Sequence, residues 1–214
     1  MDNILKYFQE FTNEQLQQLA ALENLYKEWN EKINVISRKD IDSLYEKHVL
    51  HSLSIAAVFN FKADSRILDL GCGGGFPGIP LAIFYPDVHF HLVDSIAKKL
   101  KVVDAVAESI GLKNITTQHS RIEDIKNKKY DFVISRAVAP LQKLWQWSKP
   151  LLHKSTVAKI NFDNNQYKPG LICLKGGDLA IEIQESHTRP FIFPIPEIFS
   201  EDYFKEKYIL YVPV

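Results

Sequence analysis

The sequence predicts an α/β protein: a mostly parallel sheet with helices on both faces, entered through a helical extension and finished by an antiparallel hairpin at one edge. Three observations predict it. From Ser65 onward, short apolar runs alternate with amphipathic stretches, the rhythm of strand–helix–strand units. The first run, "RILDL", is followed at once by the glycine-rich turn "GCGGGFPGIP". Before that point, apolar residues recur at helical spacing.

Taken in order, Leu16, Leu19, Leu22, Leu25, Tyr26 and Trp29 mark one apolar helix face. "NVISRKD" interrupts it, and Asn34 and Ser37 are expected to form the turn and cap. A second helix follows, with Leu44, His48, His51, Ile55 and Val58 on related faces, until "FKADS" ends it. "RILDLG" reads as a buried strand, "IPLAIFY" as a short helix stopped by Pro86, and "HFHLVDS" as a second strand. Ile96, Leu100, Val103, Ala107 and Ile110 carry an amphipathic helix that Gly111 stops. "NITTQH" and "YDFVISRA" are strands, "LQKLWQWSKPLL" is helical, and "GLICLKG" is a strand. "RPFIFPIP" and "KYILYVPV", with no strong helix between them, make the edge hairpin. The division is a helical extension, 1–62, packed on a core of 63–214, since no flexible linker separates them.

Composition excludes little. Twenty-six Lys and Arg balance 26 Asp and Glu, so a nucleic-acid partner would have to be met by a local basic face. The extension has more acidic than basic side chains, which argues against it as the main RNA-binding surface. No run approaches the ~18 apolar residues of a membrane span, and no basic, then apolar, leader opens the chain. Cys72 and Cys173 form neither a C-x-x-C pair nor a metal-ligand spacing, so no metal is expected and a reducing cytoplasm is the expected compartment.

The glycine turn carries the chemistry. A dinucleotide fingerprint would need glycine or alanine at position 76, where Phe76 stands. What fits is G-x-G-x-G: Gly71, Gly73 and Gly75, which let the backbone approach a ligand. Asp94 ends the second strand at the ~20-residue distance at which a carboxylate meets ribose hydroxyls. A bulky Phe76 with Pro77 and Pro80 leaves little room and few donors for a pyrophosphate. S-adenosylmethionine suits the site, with Asp69, at the end of the first strand, facing the ligand's ammonium directly or through water.

In order, "DLGCGGGFPGIPLAI", "LVDSIAKKLKVV", "ISRAVAPL" and "LKGG", with "WNEKINVIS" and "KHVLHSL" upstream, resemble the bacterial 16S ribosomal RNA guanine-N7 methyltransferase family, formerly called glucose-inhibited division protein B. The resemblance runs from about Trp29 to Gly177. It implies the class I S-adenosylmethionine-dependent (Rossmann-like) fold with an N-terminal helical extension. It implies methyl transfer to N7 of one guanine beside the decoding centre, with 16S RNA or the small ribosomal subunit as partner. It places cofactor contacts at Gly71, Phe76, Ile122, Glu123 and Arg136. His51, Lys207 and the long stretch 153–170 depart from the family pattern.

Arg136, at the end of "VISR", is the candidate catalytic residue, because ligands collect at the carboxyl edge of such sheets. Candidate RNA contacts are Lys175 of "LKGG", Lys98, Lys99 and Lys101 after Asp94, and, if the extension folds over the cofactor, Asn34, Ser37 and His48. "KNKK" at 126–129 reads as an exposed loop. The chain is expected to act as a monomer. The competing readings are a methyltransferase for a small molecule or protein, a nicotinamide oxidoreductase, which Phe76 disfavours, and a non-catalytic RNA-binding module, which the intact glycines and Asp94 disfavour.

Overall fold

In a computed structural model that describes residues 1–156 and 159–214, seven strands form one sheet in the order β3-β2-β1-β4-β5-β7-β6. The strands are β1 (Arg66–Leu70), β2 (His89–Asp94), β3 (Ile115–His119), β4 (Phe132–Arg136), β5 (Gly170–Gly176), β6 (Phe191–Pro194) and β7 (Lys207–Pro213). β1 to β5 run parallel, whereas β7 is antiparallel to both β5 and β6. The expected edge hairpin is present. Its second strand lies inside, beside β5, and its first strand forms the edge.

Alternation along the central strands covers both faces. Ile67, Phe132, Ile134, Ile172, Leu174, Ile209 and Tyr211 point to one face, and Leu68, Leu70, Val133, Leu171, Cys173, Leu210 and Val212 to the other. The first face packs against the extension and two helices of the core: α2 (Asn13–Lys32), α3 (His51–Val58), α4 (Gly78–Phe84) and α5 (Ala97–Ser109). The short α1 (Asp2–Leu5) adds Ile4. The second face packs against α6 (Leu141–Ser148) and, through Leu179 and Ile183, α7 (Ala180–Ser186). Leu19, Leu22 and Tyr26 of α2 share a buried cluster with sheet residues, so the extension contributes to the same core.

Local chemistry explains the elements. Thr12 caps α2: its hydroxyl accepts from the Gln15 amide at 3.3 Å while Gln15 accepts from the Thr12 amide at 2.8 Å, a reciprocal box. The turn after α2 is built differently from the expectation. Asn30, still on the helix, accepts from the amides of Val35 and Ile36 at 2.8 and 2.9 Å and donates to the Ile36 carbonyl. Asn34 is exposed and takes no part in that network. Ser37 bonds locally to the Lys39 amide at 3.3 Å. The amide group at position 30 thus ties the end of α2 to the backbone at Val35 and Ile36.

Two elements escaped the sequence. Tyr45–Leu50 is a π-helical turn that runs on into α3. α7 is seven residues long, too short to display periodicity, and its Ile181 is exposed. Of the stretch 153–170, positions 157 and 158 lie outside the described residues.

Candidate active site

The strand ends of β1, β2 and β4 bring the predicted Gly71, Gly73, Phe76, Asp94, Lys99 and Arg136 to one cavity of about 400 Å³, lined also by Cys72, Gly74, Ser95, Ile96, Ala137 and Val138 and by Val35 from the extension, while Gly75 and Asp69 lie outside its lining. Gly71, Gly73 and Gly75 all have positive φ, +69°, +56° and +96°, the conformation for which glycine carries no Cβ penalty. A Cβ on Gly73 would meet nothing within 4 Å, whereas one on Gly75 would lie 2.5 Å from Ile79 Cδ1. Gly73 is thus the open floor of the cavity, and Gly75 is a packing position.

Asp94 organises the bend. One carboxylate oxygen accepts from the Gly73 amide at 2.9 Å, the other from the Ile96 amide at 2.8 Å. Each oxygen retains a lone pair for a ligand hydroxyl. Asp69 is fully buried. Its Oδ2 accepts from the Gly78 amide at 2.8 Å, and its Oδ1 has no partner. Burial raises its pKa to about 7 against the opposing Gly78 hydrogen bond. A buried carboxyl oxygen without a partner is an unsatisfied acceptor behind the glycine bend.

Arg136 closes the other side. Its guanidinium carbon stands 5.2 Å from the Phe76 ring centroid, and it donates to the Lys47 carbonyl at 3.3 Å and His48 Nδ1 at 2.9 Å. Arginine only donates, so Nδ1 accepts and the His48 proton sits on Nε2, a buried atom with no partner. Burial, and next the charge of Arg136, lower the His48 pKa to about 3. Ala137, which follows Arg136, has φ +56°, strain of the kind that collects at functional strand ends. It turns Val138 over Gly71, where an added Cβ would meet Val138 Cγ2 at 2.6 Å.

The remaining candidates divide. Lys99 lines the cavity, and Lys98 is exposed on the helix beside it. Ile122 and Glu123 form a 3₁₀ turn after β3. Ile122 packs on the second face and Glu123 is exposed, and neither lines the cavity. Lys175, a candidate RNA contact, is engaged within the chain. Its ammonium bonds the Ala139 carbonyl at 2.7 Å and Glu182 at 2.6 Å, with 11% of the side chain exposed. Glu182 also accepts from the Leu141 amide at 2.7 Å, so this pair clamps the loop that carries Val138. Asn34 and Ser37 do not line the cavity; Val35, between them, does. Sequence reasoning also missed Tyr26, whose hydroxyl donates to the Gly74 carbonyl at 2.6 Å. On a helical wheel Tyr26 is one more apolar residue, and nothing in the spacing marks its hydroxyl.

This parallel sheet, its strand order and the glycine bend at the carboxyl edge of β1 define the class I methyltransferase fold. A SAM-dependent methyltransferase from Aquifex aeolicus superposes with a TM-score of 0.57 over 83% of this chain and 98% of its own, at 14% identity. Within that fold, the family model for rRNA small subunit methyltransferase G (GidB) matches residues 15–161. The ribosomal RNA small subunit methyltransferase G of Phocaeicola vulgatus is 51% identical over 100% of this chain and 99% of its own length. That of Cytophaga hutchinsonii is 50% identical over 100% and 99%. The chain belongs to the rRNA small subunit methyltransferase G family.

Proposed function

We propose that the chain transfers the methyl group of S-adenosylmethionine to N7 of one guanine of 16S ribosomal RNA near the decoding centre, acting in the cytoplasm as a single copy. The observation that carries this reading is the open glycine bend at Gly73, held by Asp94 at the cavity floor, with the unpartnered Oδ1 of Asp69 buried behind it. The cavity fits the cofactor by its donor set. Asp94 offers acceptors for ribose hydroxyls and Asp69 one for the ammonium. Ile96 and Val138, 40% and 39% exposed, offer apolar walls for the adenine. When bound, the sulfonium supplies an already activated methyl group.

The chain's own task is positioning. Guanine N7 carries an in-plane lone pair that needs no deprotonation, so no general base is required. His48 offers none, its Nδ1 being occupied by Arg136. Arg136 is a cation held by Phe76, His48 and the Lys47 carbonyl. It can orient a guanine edge or the methionine carboxylate without being protonated or deprotonated. Alignment of this kind contributes several kcal/mol to a displacement.

Small subunits from cells lacking the modification, incubated with protein and tritiated S-adenosylmethionine, test the reading. Label should enter 16S RNA and appear as 7-methylguanosine after digestion. Label in another nucleoside would overturn the N7 assignment. Cofactor binding without transfer to RNA would favour a non-catalytic binding role.

A further inference from the structure

The crossover from β3 to β4 has no α-helix, just the 3₁₀ turn Ile122–Asp124 and the loop that follows. The second face of the sheet is covered near Leu70 and Val93 by Ile125 and its neighbours. Toward the amino ends of β1 to β3 that face carries polar groups. Register sets Arg66 beside His89 and His91 beside Thr116. With Lys113, Lys128, Lys129 and Tyr130, these residues line a cavity of about 820 Å³ at the end of the sheet opposite the glycine bend.

Its charge is one-sided. Arg66, Lys113, Lys128 and Lys129 line it, against the single carboxylate of Asp64, which stands 3.7 Å from His89. Among the described residues none of these four cations is ion-paired. Lys128 donates to Gln118 Oε1 at 2.9 Å and Lys129 to the Pro150 carbonyl at 2.6 Å; neutral acceptors leave both charges uncompensated. His91 is fixed by Tyr130 at 2.5 Å, and burial and then the Lys128 charge lower its pKa to about 4. A positive concavity in a chain of net charge zero is a local focus of potential.

We propose that this cavity binds backbone phosphates of the RNA substrate a few nucleotides away from the methylated guanine. The proposal rests on the reading of the chain as an rRNA methyltransferase. β2 connects the two sites: His89 and Asp94 lie at its opposite ends, about 17 Å apart at ~3.3 Å per residue, a span that a handful of nucleotides bridges. Long, exposed lysines suit a polymer's phosphates, which position a nucleic acid without reading its sequence. The "KNKK" loop at 126–129 supplies two of these lysines, Lys128 and Lys129.

The test is the double variant Lys113→Glu/Lys128→Glu, which spares Lys129 because its ammonium ties the loop to the chain after α6. The control is Lys62→Glu/Lys205→Glu, the same charge change elsewhere. Circular dichroism and S-adenosylmethionine titration should be unchanged in both. With small subunits as substrate, the test variant should raise KM about tenfold or more, keep kcat within twofold, and flatten the dependence of log KM on log salt by roughly 1.5. The control should match wild type. Wild-type KM and salt slope in the test variant would overturn the proposal. So would loss of tripolyphosphate binding with RNA KM intact, which would mark a small-anion site. If wild-type protein transfers no methyl group to RNA, the functional reading fails instead. Filter binding of the same RNA then still decides the cavity: tenfold weaker binding by the test variant supports it, and equal binding overturns it.

Discussion

Gly73 and Gly75 have the same backbone handedness and opposite surroundings. Valine at 73 pays the left-handed cost of roughly 1–2 kcal/mol and projects into the cavity, where a Cβ meets nothing. Gly73→Val should remain folded by circular dichroism and lose S-adenosylmethionine binding in calorimetry. Gly75→Ala drives a Cβ against Ile79 and to within 3.3 Å of the Tyr26 hydroxyl, and should lower the melting temperature. Unchanged affinity in Gly73→Val would remove the bend from the binding site. Asp69 adds a pH signature. The unfolded chain releases this proton near pH 4, and the folded chain holds it to about 7. The folded state is therefore favoured below pH 4 and loses that advantage as pH rises to 7, by a few kcal/mol at most. In ligand-free Asp69→Asn this component should be missing, read from thermal unfolding between pH 5 and 8. An identical pH profile in the two proteins would refute it. The structural roles of Gly73, Asp69 and Asp94, a bend and two carboxylates at strand ends, were legible because spacing alone encodes them. Those of Asn30, Tyr26 and Lys175 were not, since each acts through a partner distant in sequence or on another element.

Among elements, the loop after β4 depends on β5 and α7. Lys175 and Glu182 grip Ala139 and Leu141 from two sides, and Val138, next to Ala139, faces the glycine bend. Lys175→Ala should cost about 2 kcal/mol, between an exposed pair and a fully buried one, and should weaken cofactor binding about tenfold by releasing that loop. Denaturant unfolding and titration check both. A stability loss with unchanged affinity would confine the pair to packing. Strands β1 to β5 and helices α2, α4, α5 and α6 were legible from their periodicity. The π-turn was not, because its register differs from an α-helix by a single residue per turn, and α7 was not, because two turns carry no pattern.

At the scale of the whole molecule, the extension and the sheet share one apolar cluster, in which Leu19, Leu22 and Tyr26 meet Ile79 and Ile134. Tyr26 also holds the Gly74 carbonyl, and Val35 lines the cavity. Residues 63–214 produced alone would expose that cluster, and should show neither a cooperative unfolding transition nor S-adenosylmethionine binding. A well-folded fragment would make the extension a separate unit.

The sequence by itself determined the order of the strands and the longer helices, the glycine bend and its two carboxylates. These are local matters of period, backbone freedom and spacing along the chain. Tertiary structure alone decided which cations are ion-paired within the chain. Lys175 and the lysines of the β3–β4 loop are alike as letters. An ammonium's role depends on whether folding brings it a carboxylate, and folding gave Glu182 to Lys175 and left Lys113 and Lys128 facing an open cavity.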